Sequence, residues 1–327
     1  MQKVKHNFKQ PSIKLSPKQR VGLLLMLSLL VMILFMTINL GNNLHYILIR
    51  RGYILFTMII VAFAASIATV LFQSITNNRI LTPSLMGFEA LFILIQTMIV
   101  FFYNDTPSYW VFSIIKFIGE SCLLVAFAVL LYRWLFSFVH FNINLILMVG
   151  IVLGTLFRSA AALLQRLLDP NEFSVLQSRM FATFTKASPE LIWFSAIVIF
   201  FFGFILWRKC HLFDVLALGR NQAINLGVDY RRTVTTTLLL ISILVAVSTA
   251  LVGPLTFLGL MIANLAYLIA GSNQHRYILP VAFLLAMIAL IGGQLILEYV
   301  LHMAGALSIV LEFIGGIFFI YLVLKRF

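Results

Sequence analysis

The sequence predicts an all-α, polytopic membrane protein of about ten transmembrane helices with both termini cytoplasmic. Three observations lead there. Of the 327 residues, 62% are hydrophobic and only 10% are charged, against about 25% charged in an ordinary soluble domain, and the mean hydropathy is +1.06. Apolar runs of about 18 residues or more recur along the chain, each long enough to cross roughly 30 Å of hydrocarbon as a helix. They are continuous rather than alternating, which excludes a β-barrel. Basic residues gather in three places: Lys3, Lys5, Lys9, Lys14, Lys18 and Arg20 before the first run, Arg208, Lys209, Arg220, Arg231 and Arg232 around a central polar segment, and Lys325 and Arg326 at the end. Positive charge marks the cytoplasmic side, so the formal charge of +13 follows the membrane and points away from nucleic acid. Asp105, Asp169, Glu172, Glu190, Glu298 and Glu312 fall in or near the outer loops, against Asp214 and Asp229 inside.

Residues 1–20 read as a basic cytoplasmic tail, with Pro11, Pro17 and no apolar period, whose lysines favour anionic membrane lipid. Residues 21–327 form one transmembrane domain. The first span, 21–40, is too long for a cleaved secretory signal and lacks a small-residue cleavage site, so it is retained. Arg50 and Arg51 stand at the outer start of the second span, 52–75, where long cations snorkel. Asn77-Asn78 and Pro83 then break one helix and start the next, which predicts a tight inner turn. The third span, 84–103, carries Glu89 near its inner start, where the helix dipole tolerates an acid, and Asn104 to Pro107 is an outer turn.

The fourth span, 110–136, holds Lys116 and Glu120 at i, i+4 spacing, which lets them pair with each other. The fifth, 143–168, keeps Arg158 and Arg166 toward its outer half, the pattern of a helix that lines a wet path or a helix interface. An outer segment, 169–189, has helical apolar spacing in Phe173, Leu176, Met180 and Phe184, with Glu172 and Arg179 as exposed charges. The sixth span is 190–207, the seventh 233–251, and Gly253-Pro254 permits an outer reversal into an eighth span ending near Ala270. Gly259 allows close helix packing there. His275 and Arg276 read as solvated residues of an inner turn. Spans nine (280–300) and ten (309–324) follow, with Gly315-Gly316 in the last suited to pack on a neighbour. Cys122 and Cys210 lie too far apart in this topology for a disulfide.

The central polar segment, about 208–232, is the most informative stretch. Gly219 and Gly227 can end helical turns in the left-handed conformation, which divides 216–228 into two short helices with Leu216, Leu218, Ala223, Ile224 and Leu226 as apolar anchors. A connector folded into short capped helices suits docking of a soluble partner. The alternative from spacing alone is an amphipathic connector lying in the headgroups.

The order Leu216-Ala217-Leu218-Gly219-Arg220, then Ala223, then Leu226-Gly227-Val228 resembles the cytoplasmic coupling segment of the ABC-importer permeases that carry iron–siderophore complexes, haem and cobalamin. Two further stretches resemble the same family. Gln73, Asn78, Pro83 and Gly87 keep the spacing of its Q, four residues, N-P-L-A-x-P-x-x-L-G turn, with Arg79 at the first proline. Gly253 to Ile262 is similar to its G-P-I-G-F-V-G-L, after which Ala263, Asn264 and Tyr267 replace the usual proline, histidine and arginine. Gln294 and Glu298 stand at a usual aspartate and arginine, and the E-x-P-x-G before the last helix is absent.

The resemblance, which covers nearly the whole chain, implies a type II ABC-importer permease in the bacterial cytoplasmic (inner) membrane. It implies ATP-binding cassette subunits gripping Leu216 to Gly227, an extracytoplasmic substrate-binding protein meeting Arg51, with Arg50 and Glu298 beside it, and a path at the interface with a second permease chain. The altered positions favour a heterodimer. Arg158 and Arg166 would attract an anionic iron complex along that path. No phosphate loop of the G-x-x-x-x-G-K-[ST] type occurs, so ATP belongs to the partner and no cofactor is expected in this chain. The six histidines are scattered without metal-ligand spacing, and no convergent acid, base or metal set marks an enzyme. The competing reading is an ion-coupled secondary transporter using Glu89, Lys116, Glu120 and Arg158.

Overall fold

The computed structural model describes residues 15–38, 43–102, 110–138, 143–185, 187–303 and 305–326. The basic tail before residue 15, the links at Gly41-Asn42 and Asn104 to Pro107, and His6 and His140 lie outside the described residues. Within them the chain is helical: α1 (Pro17–Thr37), α2 (Leu44–Thr76), α3 (Phe88–Phe102), α4 (Trp110–Phe138), α5 (Ile143–Gln165), α6 (Pro170–Met180), α7 (Pro189–Arg208), α8 (Cys210–Leu216), α9 (Arg220–Asn225), α10 (Tyr230–Val252), α11 (Thr256–Ile269), α12 (His275–Tyr299) and α13 (Leu307–Arg326). Each of the ten expected spans falls on one helix, and α6, α8 and α9 are the short elements between them. Among the described residues, α1, α2, α5, α7, α10 and α12 carry a stretch long and apolar enough to cross a membrane, while α3, α11 and α13 carry shorter apolar runs.

The core forms around α2, which packs against α7, α10, α11 and α12. Its 33 residues extend about 50 Å, more than the hydrocarbon needs, and it buries nearly every position from Ala64 to Ile75. It starts earlier than the expected 52 because nothing between Leu44 and Arg51 breaks a helix. Phe63 binds this centre together, its ring 5.1–5.8 Å from those of Phe200, Trp207 and Phe283. Helix α1 lies at the edge against α12. It opens with a capping box between Ser16 and Gln19 and buries only Leu24, Ser28 and Phe35, so its other faces are left to lipid.

Two helices are too short to cross the bilayer. α3 has 15 residues and α11 has 14, about 21–23 Å each against roughly 30 Å of hydrocarbon. Their N-termini meet: the Thr256 hydroxyl donates to Glu89 Oε2 at 2.6 Å. α3 ends toward the outer side and α11 toward the inner, so this shared point lies within the bundle, and both the inner placing of Glu89 and the outer placing of Gly253-Pro254 are corrected to one buried level. Irregular backbone is tolerated at such depth where protein covers it. The cover here is the strand of chain after α6, whose Thr183 N–H donates to the Val252 carbonyl at 2.8 Å.

Candidate coupling site at the inner face

The segment after α7 folds into α8 and α9, which touch each other at the end of the bundle that carries Arg208, Lys209, Arg231 and Arg232, the side expected to be inner. Gly227 closes α9 with φ of +82°, and the Val228 and Gly227 N–H groups return to the carbonyls of Ala223 and Ile224 at 3.0 and 2.9 Å. This is a Schellman motif, which satisfies the last carbonyls of a short helix. Gly219 differs from the expectation: φ +101° with ψ 164° is not the left-handed helical conformation but an extended one open only to glycine, and it starts α9 rather than ending α8. Asp229 then caps α10 by accepting the Arg232 N–H at 3.1 Å.

The five apolar residues expected to anchor this segment divide into two sets. Leu216 and Ala223 are buried at 1% and 0% exposure, and Phe213 joins them at 0%. Leu218, Ile224 and Leu226 point outward at 58%, 48% and 62% exposure. Ala217, Arg220 and Gly227 are exposed beside them. The pair of short helices is therefore pinned to the bundle by one face and presents an apolar patch on the other.

Beside it lies the turn from α2 to α3. Asn77 ends α2 in the left-handed conformation with φ of 49°, the Asn78 N–H returns to the Gln73 carbonyl at 3.2 Å, and Asn78 Oδ1 accepts the Ile80 N–H at 3.0 Å. The Gln73 amide donates to the Arg79 carbonyl at 2.7 Å. Pro83 begins a short 3-10 turn through Met86, and Gly87, with φ of +94°, runs within touching distance of Gly150 and Gly154 on α5. Gln73, Asn78, Pro83 and Gly87 thus form one turn. Arg79 and Asn264 belong to it too: the Arg79 guanidinium lies 4.6 Å from the centre of the Tyr267 ring, and the Asn264 amide donates to the Arg79 carbonyl at 3.0 Å.

Sequence reasoning missed His275. It is not a solvated turn residue but the first residue of α12, 1% exposed. Its backbone N–H and its Nδ1 reach Asp214 Oδ1 of α8 at 2.7 and 2.6 Å, and Nε2 faces the Ser74 hydroxyl of α2 at 2.6 Å. The signal was present: Ile278, Leu279 and Ala282 stand three, four and seven residues on, so His275 continues their buried helical stripe.

The remaining candidates lie apart from this face. Arg158 on α5 and Arg166 in the turn just past its end are exposed, among exposed Ile151, Val152, Leu156, Leu163 and Leu167. Arg158 and Glu312 are the charged neighbours of buried Glu89. Lys116 and Glu120 pair as expected at 3.6 Å, and the Gln96 amide donates to Glu120 at 2.7 Å. Arg179, expected as an exposed charge, is turned inward because α6 packs on α3. At the outer end Arg50 is exposed, whereas Arg51 is half-buried and donates to the Phe35 and Ile38 carbonyls at 3.0 and 2.6 Å and to the Tyr299 hydroxyl at 2.9 Å. Glu298 accepts from Gln294 at 2.8 Å.

A polytopic helical bundle in which two short helices meet end to end at a buried level, carrying a capped pair of short helices on its positively charged face, belongs to the class of membrane transport permeases. The sequence pattern of the FecCD transport family matches residues 20–325, and the chain belongs to that family. It is 41% identical over 309 residues to the petrobactin import system permease protein YclO of Bacillus subtilis, covering 94% of this chain and 98% of that protein. It is 26% identical over 288 residues to the petrobactin import system permease protein YclN of the same organism, covering 83% and 84%. Among solved structures, a metal-chelate type ABC transporter in an inward-facing conformation superposes with a TM-score of 0.80 at 20% identity, covering 95% of this chain and all of that one.

Proposed function

We propose that this chain is the membrane-spanning subunit of an ATP-driven importer for iron–siderophore complexes, with petrobactin the first siderophore to assay. The observation that carries the reading is the exposed triad of Leu218, Ile224 and Leu226 on a segment whose other face is pinned by Phe213, Leu216 and Ala223. An apolar patch held rigid on the inner face of a FecCD permease is where an ATP-binding cassette subunit docks, and 41% identity to a petrobactin import permease supports the substrate class. A binding protein delivers the complex at the outer face near Arg50 and Glu298. The exposed face of α5, where Arg158 sits among apolar side chains, faces a second permease and the path between them. The chain resembles YclO and YclN of one organism to unequal degrees, 41% and 26%, which favours two different permease chains over a homodimer. The assembly sits in the bacterial cytoplasmic membrane, and ATP is bound and hydrolysed by the partner alone.

The test is purification of the tagged chain in mild detergent beside Leu218→Asp/Leu226→Asp. The native chain brings down an ATPase and a second permease and hydrolyses ATP; the variant, with an unchanged melting profile, loses the ATPase. A native chain that purifies alone and inert towards ATP overturns the reading.

A further inference from the structure

We propose that Asp214, His275 and Ser74 form a link that carries movement of the coupling segment into α12 and α2, with His275 the positioning residue at its centre; the inference rests on the importer reading above. A helix N-terminus leaves its first amides unpaired, and the usual remedy is a side chain next to it in sequence. Gln274, the residue before α12, makes no such bond. The cap comes instead from Asp214, 61 residues earlier in α8, whose Oδ1 accepts the His275 N–H at 2.7 Å and faces Nδ1 at 2.6 Å. A carboxylate at the positive end of the α12 dipole is a favourable placement.

The far side of the same imidazole faces the Ser74 hydroxyl at 2.6 Å. The Val70 carbonyl, 2.9 Å from the Ser74 hydroxyl, competes with Nε2 for its single proton, and the Tyr267 hydroxyl of α11 stands 3.3 Å away. His275 and Ser74 are 1% and 5% exposed, and the Phe213 ring of α8 lies 6.1 Å from the imidazole. One side chain thus joins the coupling segment to the inner ends of α2 and α12, with α11 one bond further.

The physical kind of contact matters to the proposed cycle. Leu216 and Phe213 push on the bundle, because close-packed side chains resist compression. Dispersion contacts weaken quickly when surfaces separate. Short, directional bonds to a carboxylate hold against separation as well. An importer must return as well as advance, and the Asp214–His275–Ser74 chain supplies the pulling half of that stroke.

The experiment reconstitutes the complete importer in liposomes and counts radio-iron ferric petrobactin carried per ATP hydrolysed, for Asp214→Ala, Asp214→Asn and Ser74→Ala. Asn keeps the oxygen that receives both nitrogens, and Ser74→Ala removes one hydroxyl without altering the backbone. Asp214→Ala and Ser74→Ala lower iron carried per ATP by about fivefold or more, while Asp214→Asn stays within about twofold. ATPase co-purification and the KM for the iron complex do not change. A second readout needs neither substrate nor ATPase: spin labels on Asn221→Cys and Asn273→Cys, in a Cys122→Ser/Cys210→Ser background, report one narrow distance that Asp214→Ala broadens. The link is overturned if Asp214→Ala and Ser74→Ala carry iron per ATP as well as the native chain, if Asp214→Asn falls as far as Asp214→Ala, or if Asp214→Ala leaves the label distance as narrow as before. Failure of the importer reading shows separately, as a native chain that brings down no ATPase.

Discussion

Arg51 closes the outer end of α1. The last carbonyls of a helix have no partner inside it, and Arg51 Nη1 takes those of Phe35 and Ile38 while Nη2 reaches Tyr299 on α12. A planar fork serves three acceptors on two elements at once, and an ammonium group cannot reproduce that geometry. Arg51→Ala is therefore expected to cost about 1–3 kcal/mol, read as a lower melting midpoint by tryptophan fluorescence in detergent, and Arg51→Lys to recover little of it. An Arg51 whose only work is to meet a partner protein would leave the midpoint unchanged. Gly87 gives a second expectation. Its φ of +94° strains any other residue, and an added methyl meets the Gly150 carbonyl and the Gly154 backbone at 3.2 Å. Gly87→Ala is expected to abolish stable purification, while Gly52→Ala, with nothing within 4 Å, is silent in the same size-exclusion assay.

Between elements, residues that differ from the usual family pattern meet one another. Arg79 stands at a usual proline of the family turn and Tyr267 at a usual arginine, and the guanidinium lies 4.6 Å from the centre of the Tyr267 ring. A cation over an aromatic face is worth about 0.5–2 kcal/mol. Tyr267→Arg sets a second guanidinium against Arg79 and is expected to lower the melting midpoint. Adding Arg79→Pro, which restores the usual arrangement, recovers it, and a double variant no more stable than Tyr267→Arg alone would show the two sites to be independent. Gln294 and Glu298 are likewise bonded to each other.

Such pairs show where the sequence was readable. The spans were legible because hydropathy is a one-dimensional signal, and the short helices of the coupling segment because Gly219 and Gly227 punctuate them. Which of its leucines face outward was not. Leu216 and Leu218 are two residues apart, and only the bundle beneath them decides that the first is buried and the second exposed. His275 was misread for a related reason, since its partners Asp214 and Ser74 lie 61 and 201 residues away. Glu89 and Thr256, 167 residues apart, share a level that no local pattern reports.

At the scale of the molecule, α1 is held at both ends by arginines. Arg20 Nη1 donates to the Ile269 carbonyl at 2.9 Å at the inner end, and Arg51 works at the outer. The two sites are separated by the length of the helix, so the stability losses of Arg20→Ala and Arg51→Ala are expected to add to within about 0.5 kcal/mol; a larger departure in the double variant would mean that α1 docks as one cooperative unit. The two clasps also bear on how the chain is made. Arg51 follows α1 within 16 residues, but Ile269, which Arg20 grips, stands 249 residues later, so at roughly 5–20 residues per second of synthesis the inner clasp closes on the order of 10–50 s after the outer one. Throughout that interval α2 and lipid must hold it. A self-contained capping box and a surface that is apolar on almost every side let the newborn helix, clasped only at its outer end by Arg51, stay in the bilayer until α11 and α12 emerge from the ribosome.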